Sequence, residues 1–554
     1  MAMHIAASSS PSSPLHPAAI APVACAASAA MKLDLFMLTF NCAKVAVDVG
    51  VFATHLHTAL IDQATQLPEL VVLSLQEVAP LPNAFVGGAL LDPYLVRFEE
   101  AVNLAALNAR TILANASSAP ESAADTDTLH SSDRPYSLVK AHNVGMTAIM
   151  LFVRAPAVLG PVSVAEVGFG AADMGNKGAV GLRTMFSRAG CPEEATELTF
   201  VAAHLAAMEW NVAKRNANWY SVMRALTFQD PDTVVRQLGH RHAEAESESG
   251  AGSSAEADDD GENISLLATR HREARALLDA RLHDLSVFKP SSHLFFGGDL
   301  NYRIATSSPP PNAVFPSSDP ASPHHYDKFL PLDQLTQERH AGRCLHGMSE
   351  APIGFAPTYK YKALPRVAPP DAVEMEVPST YARHRYPSWT DRILFLDTPP
   401  WLKQNKTQAS TELDMEVHRY TSLPLMRCSD HQPVYLRISV PLIAPARLAP
   451  PQRAVHENAL AAQNDGPADA DADVPAEWRK DPRAQLPVGI DPEAWQRRRT
   501  GRWREWVVGW GSAVWSTRQG ALVLASALAV AAVTYYAVHA MWAEEAVVVS
   551  SVAE

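Results

Sequence analysis

Two residues of the stretch Phe295-Phe296-Gly297-Gly298-Asp299-Leu300-Asn301-Tyr302-Arg303-Ile304 have the types and the spacing to activate water: Asp299 and Asn301. Side chains two apart on an extended chain point the same way, so a carboxylate and a carboxamide are presented together. Asp299 can take a proton, while Asn301 can hold the attacking oxygen or a phosphate oxygen. A polar turn after a core strand would have the same composition, so the surrounding chain has to decide. Other blocks carry groups of the same kind: Leu75-Gln76-Glu77, Gly175-Asn176-Lys177-Gly178-Ala179-Val180, His204-Leu205-Ala206-Ala207, Pro387-Ser388-Trp389-Thr390-Asp391-Arg392-Ile393-Leu394 and Ser429-Asp430-His431-Gln432-Pro433-Val434.

The elements around these blocks are strand-like. Leu33 to Phe40 reads as a strand that delivers Asn41, and Leu70 to Leu75 as one that delivers Glu77; the apolar run Leu294 to Phe296 delivers Asp299. Further strands are expected at Met146 to Val153, Ala179 to Thr184, Leu198 to His204, Trp389 to Leu396 and Gln432 to Val440, with helices around Val96 to Ile112 and Leu266 to Leu285. This mixture predicts an α/β domain whose sheet aims polar groups from strand ends into one cleft.

Taken together, these blocks resemble the inositol polyphosphate 5-phosphatase family of the larger endonuclease/exonuclease/phosphatase superfamily, and within it a tail-anchored, fungal-type phosphatidylinositol 4,5-bisphosphate 5-phosphatase. The resemblance runs from about Leu33 to Val440. Gly-Asp-Leu-Asn-Tyr-Arg and Pro-Ser-Trp-Thr-Asp-Arg are its specific blocks; Gln-Glu and Ser-Asp-His mark only the superfamily. It implies a four-layer α/β sandwich of two mixed sheets with helices outside. It also implies a metal site for Mg²⁺ built from Glu77, Asn41 and Asp430, oxygen donors suited to a hard cation. Asp299 is then the base, with Asn301 orienting the water. His431 contacts the scissile phosphate with Asp391 orienting its ring, and His204 gives a second hydrogen bond to the phosphoryl oxygens. Tyr359, Lys360, Arg383 and Arg385 match the basic patch for a neighbouring 4-phosphate. Asn176, Lys177 and Arg303 are further cleft candidates, Arg303 being equally suited to a structural ion pair; Arg215 and Tyr220 brace the run after His204. Departures from the family pattern touch selectivity more than chemistry. Met208 stands where a histidine is common, Gly297 is an extra small residue, Lys362 replaces an acid, and Arg383 replaces a lysine.

Composition limits the alternatives. The chain has 554 residues, 47% of them hydrophobic, enough for a sizeable core. Five scattered cysteines without a Cys-x-x-Cys pair argue against a zinc site or disulfide framework. A formal charge of −13 argues against a nucleic-acid partner. Residues 1–30 read as a disordered leader, 31–440 as the catalytic domain with a disordered acidic insertion at 240–263, and 441–492 as a flexible linker.

A basic, Trp-rich juxtamembrane segment (493–518) follows, in which Trp503, Trp506, Val507, Trp510 and Val514 share one helical face among arginines. Ala521 to Trp542 contains no Lys, Arg, Asp or Glu; its 22 residues as a helix would reach ~33 Å, long enough for a transmembrane tail anchor. Basic residues before it and Glu544 and Glu545 after it favour a cytosolic catalytic domain. The short span fits the thin bilayer of the endoplasmic reticulum.

The function expected is Mg²⁺-dependent removal of the 5-phosphate from a phosphoinositide lipid, most simply phosphatidylinositol 4,5-bisphosphate, at an anionic membrane surface; the sequence names no protein partner. Two alternatives remain: a phosphodiesterase of the same superfamily (a nuclease or sphingomyelinase), or an inactive membrane adaptor that only binds inositides. The acidic balance and the basic Tyr-Lys-Tyr and Arg-x-Arg blocks weigh against the first, and the intact water-activating pair against the second.

Overall fold

The computed structural model describes residues 32–116, 134–155, 158–188, 191–239, 260–366, 374, 376–403, 413–451, 478, 480–516 and 518–551. The expected leader at 1–30 lies outside the described residues, as do 240–259 of the acidic insertion and 452–477 of the expected linker.

The strands are β1 (Lys32–Asn41), β2 (Leu70–Gln76), β3 (Ser137–Val144), β4 (Thr147–Val153), β5 (Ser163–Gly168), β6 (Gly178–Arg188), β7 (Cys191–His204), β8 (Ser292–Asp299), β9 (Tyr361–Ala363), β10 (Ser379–Tyr381), β11 (Asp391–Phe395), β12 (Glu416–Ser422) and β13 (Val434–Pro441). The helices include α1 (Val49–Ile61), α2 (Leu81–Val86), α3 (Asp92–Ala116), α4 (Val212–Ala225), α5 (Asp260–Leu285), α6 (Ala494–Ser516) and α7 (Arg518–Ser551). One sheet has the order β12-β13-β1-β2-β4-β3 and the other β11-β8-β7-β6-β5. Each contains a single parallel pair, β1 with β2 and β7 with β8. Helices α1 and α4 lie in the two crossovers that such pairs require.

Alternation along β1 builds the layers. Leu33, Leu35 and Met37 enter the core between the sheets, with Val72 of β2 and Phe295 of β8. Phe36, Leu38 and Phe40 point the other way, into a core shared with Phe52 and Leu56 of α1 and Phe98 of α3. On β8, Leu294 and Phe296 likewise turn outward, and Phe296 meets Trp219 of α4 edge-on at 5.3 Å. The result is the expected α/β fold of two mixed sheets with helices outside. Both glycines of the Gly297-Gly298 pair are needed for close approach. A Cβ on Gly297 would come within 2.9 Å of Met37 Cε across the sheets, and one on Gly298 within 1.9 Å of the Ala203 carbonyl oxygen on β7.

The C-terminal region departs from expectation in two ways. Residues 478 and 480–492 are not a free linker but pack on the domain. Arg483 is buried because Asp481 neutralises it and the Asp397 carbonyl accepts from its guanidinium at 2.8 Å. The Asp491 amide bonds the Arg224 carbonyl at the end of α4, and Trp495 of α6 bonds Thr227. The second departure concerns the membrane anchor. Helix α7 includes positions 521–542, but among the described residues no helix is long and apolar enough to cross a membrane, so the expected transmembrane span is not supported. The apolar run that includes exposed Leu522, Leu528, Val530 and Val533 gives way to Thr534, Tyr535, Tyr536 and His539.

Candidate active site

Register converges the chemistry on one edge of the sandwich. Asn41 closes β1 opposite Gln76 of β2, so Glu77 follows immediately beside it. His204 closes β7 opposite Asp299, which closes β8; Asp299 in turn stands opposite Asp391, the first residue of antiparallel β11. Two of these turns use left-handed backbone, at Glu77 (φ 47°) and Asn301 (φ 58°). The chain reverses there directly after the strands, which brings both side chains back to the sheet edge.

Asp299 is the hub. Its carboxylate accepts from Asn41 Nδ2 at 2.9 Å and from the Asn301 amide at 3.1 Å, and lies 3.2 Å from His204 Nε2. Burial alone would raise its pKa, but His204, His431 and Lys177 outweigh that and hold it well below the usual carboxylate range. It is therefore a buried, ionised acceptor. The His204 pKa is lowered as well: burial and the Lys177 ammonium outweigh the attraction of Asp299. Lys177 contacts the His204 ring and lies 3.7 Å from Glu77. Burial also lowers the lysine's pKa, against Asp299 and Glu77. Glu77 is bound by Lys44 at 2.7 Å, and despite burial its charged neighbours His204, Lys177 and Lys44 keep its pKa below the ordinary value.

The other wall is an Asp–His pair. Asp391 is fully buried, and its Oδ2 lies 2.9 Å from His431 Nδ1 while accepting from Thr358 Oγ1 (2.7 Å) and Thr390 Oγ1 (2.8 Å). Burial works to lower the His431 pKa, but Asp391, Asp299 and Asp430 reverse the sign and raise it. Ligand atoms of Asp299, Asp391 and His431 all fall within 4.8 Å of one another. Glu77, Asp299 and His431 therefore belong to one continuous constellation, linked through Lys177, His204 and Asn41.

Not every candidate meets it as simply. Asn301 is engaged by its own loop: Nδ2 donates to the Leu205 carbonyl at 3.2 Å and Oδ1 accepts from Arg303. The Arg303 guanidinium also lies over the Tyr359 ring at 4.2 Å, and that ring lies 4.4 Å from the His431 ring. Asp430 is paired with Lys360, its second oxygen 3.9 Å from His431 Nε2. Arg385 reaches Glu209 at 3.3 Å and the Met208 sulfur at 3.7 Å, whereas Arg383 lies over Phe315 at 5.6 Å, away from these partners. Asn176 has a buried Oδ1 without a partner. Arg215, buried, bonds the Met208 carbonyl at 2.7 Å and so braces the turn after His204.

Three contributors escaped the reading of the sequence. Lys44 is an ordinary loop lysine until the Asn41 turn folds it onto Glu77. Thr390, inside the quoted Trp-Thr-Asp-Arg block, and Thr358, just ahead of Tyr359, orient Asp391. Only the shared bonding of both to Asp391 Oδ2 reveals why hydroxyls are needed there.

Comparison with known proteins places the chain in a family. Residues 38–437 match the family described as endonuclease/exonuclease/phosphatase family 2. The chain is similar to the polyphosphatidylinositol phosphatase INP53 of Saccharomyces cerevisiae, at 26% identity over 66% of this chain and 23% of that protein. It is also similar to the type II inositol polyphosphate 5-phosphatase 15 of Arabidopsis thaliana, at 30% identity over 51% of this chain and 22% of that protein. Among solved structures it resembles the inositol polyphosphate 5-phosphatase domain of SPsynaptojanin in complex with inositol (1,4)-bisphosphate and calcium ion. That likeness has 20% identity, a TM-score of 0.43, and covers 74% of this chain and 84% of that one. The chain thus spans under a quarter of the length of the two curated relatives named here.

Proposed function

This chain belongs to the endonuclease/exonuclease/phosphatase family, and on that premise we propose that it is a Mg²⁺-dependent phosphoinositide 5-phosphatase, converting phosphatidylinositol 4,5-bisphosphate to phosphatidylinositol 4-phosphate. The observation that carries the reading is the pairing of an ionised, buried Asp299 with a protonatable His431 held by Asp391 across one small space. An ionised carboxylate beside the site is an open acceptor for the proton that a water sheds as it attacks phosphorus, and an imidazolium opposite it can stabilise phosphoryl oxygens. The names of the relatives support a 5-phosphate of an inositol as the group removed.

The donor set suits a hard cation. Glu77 supplies a carboxylate and Asn41 an amide oxygen, and the two ammonium groups already drawn to Glu77 mark that position as one where positive charge is stabilised. Mg²⁺ bound there would neutralise charge on the phosphoryl oxygens and the departing alkoxide. Asp430 would join the set only by releasing Lys360. The rest of the work falls to side chains: Asp299 accepts the proton, Asn41 and Asn301 hold Asp299 in place, His204 and Lys177 face the phosphoryl oxygens, and Asp391 keeps the His431 ring aimed. Lys360, Arg303 and Arg385 supply positive charge for a neighbouring phosphate, with Arg383 further out.

We place the reaction at a cytosol-facing membrane surface, that of the endoplasmic reticulum being the one the sequence argues for. The support is the exposed indole and apolar surface of α6 and α7 beside the arginines of α6. The test is phosphate release, with and without Mg²⁺, from phosphoinositides, soluble inositol phosphates, DNA and sphingomyelin, comparing wild type with Asp299→Ala. Release from the 5-phosphorylated inositols alone, lost in the variant, is expected. Turnover of DNA or sphingomyelin, or phosphate release that survives the substitution, would overturn the assignment.

A further inference from the structure

Helix α6 lies beyond residues 38–437, the stretch that the family matches, yet it is built into the domain at the active-site edge. Gly501, Glu505 and Gly509, each four residues from the next, share one face. All are buried. A Cβ on Gly501 would come within 2.7 Å of the Asp173 carbonyl, and one on Gly509 within 2.9 Å of Phe85 in α2, the helix that follows Glu77. The two glycines thus allow the helix backbone to lie against the turn that precedes Lys177 and against the helix that follows Glu77. Between them stands Glu505, a fully buried carboxylate.

What Glu505 touches is specific. Its Oε1 accepts the backbone N–H of Gly175 at 2.7 Å, and Arg498 neutralises it, with Arg498 Nη2 at 3.1 Å from Oε2 and Arg502 at 3.5 Å. Arg498 also bonds Glu166 and the Asp173 carbonyl, so the same ion pair closes the turn that precedes Gly175. The Gly175 carbonyl accepts from Met146. Both polar groups of that residue are therefore fixed, one by the sheet and one by α6. Two residues later, Lys177 reaches Glu77 and His204. A charged acceptor on a buried peptide N–H holds it more strongly than a neutral one.

We propose that Glu505 is a positioning residue for the phosphatase site: from a helix outside the family-matched stretch it fixes the Gly175–Lys177 loop, and so places the Lys177 ammonium between Glu77 and His204. The inference rests on the phosphatase reading for its activity readout, but its geometry stands apart from it. A mere clamp holding α6 to the domain would lower stability when cut and leave catalysis in the folded enzyme untouched. A positioning residue alters turnover.

The experiment uses the full chain and inositol 1,4,5-trisphosphate as a water-soluble probe, so that membrane binding plays no part. Glu505→Leu, folded as judged by thermal unfolding, is expected to lose about tenfold or more in kcat with a much smaller change in KM, as for removal of groups that orient catalytic ligands. Glu505→Gln keeps an acceptor for the Gly175 N–H and is expected to recover most of that loss. Wild-type kcat in folded Glu505→Leu overturns the proposal. Hydrogen exchange on the wild-type chain decides the matter should the leucine variant not fold: the Gly175 amide is expected to be strongly protected, and free exchange there also overturns the proposal. If the wild type releases no phosphate from the probe, the phosphatase reading fails while the exchange measurement still judges the brace.

Discussion

Replacing Asp391 by Asn removes one charge and almost no volume, and it tests the reasoning behind the Asp–His wall directly. In the wild type the His431 pKa lies above its ordinary value because Asp391, then Asp299 and Asp430, outweigh burial. The imidazolium is accordingly favoured in the folded protein; its contribution is fully present below the ordinary pKa of about 6.5 and is lost as pH rises through the elevated value. Without the Asp391 charge the largest opposition to burial is lost, and the His431 pKa falls. Each unit by which the His431 pKa falls below the working pH costs about tenfold in the protonated fraction, roughly 1.4 kcal/mol. A total loss of about 10²-fold in kcat/KM at neutral pH follows, within the range that positioned acids and bases contribute. The hydroxyls of Thr358 and Thr390 can rotate to suit the amide, so the fold is expected to survive. Initial rates of phosphate release from a soluble inositol polyphosphate between about pH 5 and 9 read the effect. The alkaline limb should move to lower pH in the variant, and the deficit should shrink on acidification. An alkaline limb that stays in place, or a deficit equal at every pH, would refute the electrostatic account of His431.

Two further substitutions probe other links. Arg392 is fully buried, bonded to Glu350 at 2.6 and 2.7 Å and to Asp333 at 2.9 Å, so Arg392→Met removes the cation that two buried carboxylates share and should cost about 3 kcal/mol in denaturant unfolding, Arg339 still pairing with Glu350. An unchanged midpoint would mean that these charges are solvated in solution. Trp503, Trp506 and Trp510 are exposed by 66%, 52% and 43% on the side of α6 away from Glu505, and replacing all three with Ser should leave stability and soluble-substrate turnover near wild type. Co-sedimentation with anionic vesicles and turnover of lipid substrate should both fall several-fold. Equal loss on soluble and lipid substrate would remove the membrane-facing role of that surface.

How much of this was legible beforehand depended on what each residue's role requires. Alternation and apolar runs gave β1, β2 and β4 almost to the residue and the centre of β8, since a strand buried on both faces has few other ways to be written. The strand-end placement of Asn41, Glu77, His204 and Asp299 was legible for the same reason, a rigid sheet edge being the place where short polar blocks after apolar runs must emerge. Lys44 and Thr358 were not, because their importance comes from partners far away in the chain, and Thr390 was not, because a hydroxyl beside a carboxylate does not announce a hydrogen bond to it.

Residues 478–516 are the instructive failure. Proline, arginine and tryptophan density reads as linker and membrane surface, and the tryptophan face is indeed exposed. Yet the buried face is set by Gly501 and Gly509, whose value is an absence of side chain, and by Glu505, whose acidity among arginines looks like an ordinary surface ion pair. A buried carboxylate is recognisable only once its Gly175 partner is in view. The same argument explains why the basic patch was the least legible part of the site: the arginines at 383 and 385 share a sequence block but go to different neighbours, Phe315 for one and Glu209 with Met208 for the other. The side chain at 385 finds a carboxylate at 3.3 Å and a thioether sulfur at 3.7 Å in the turn after His204, partners nearly two hundred residues away that its own block does not announce.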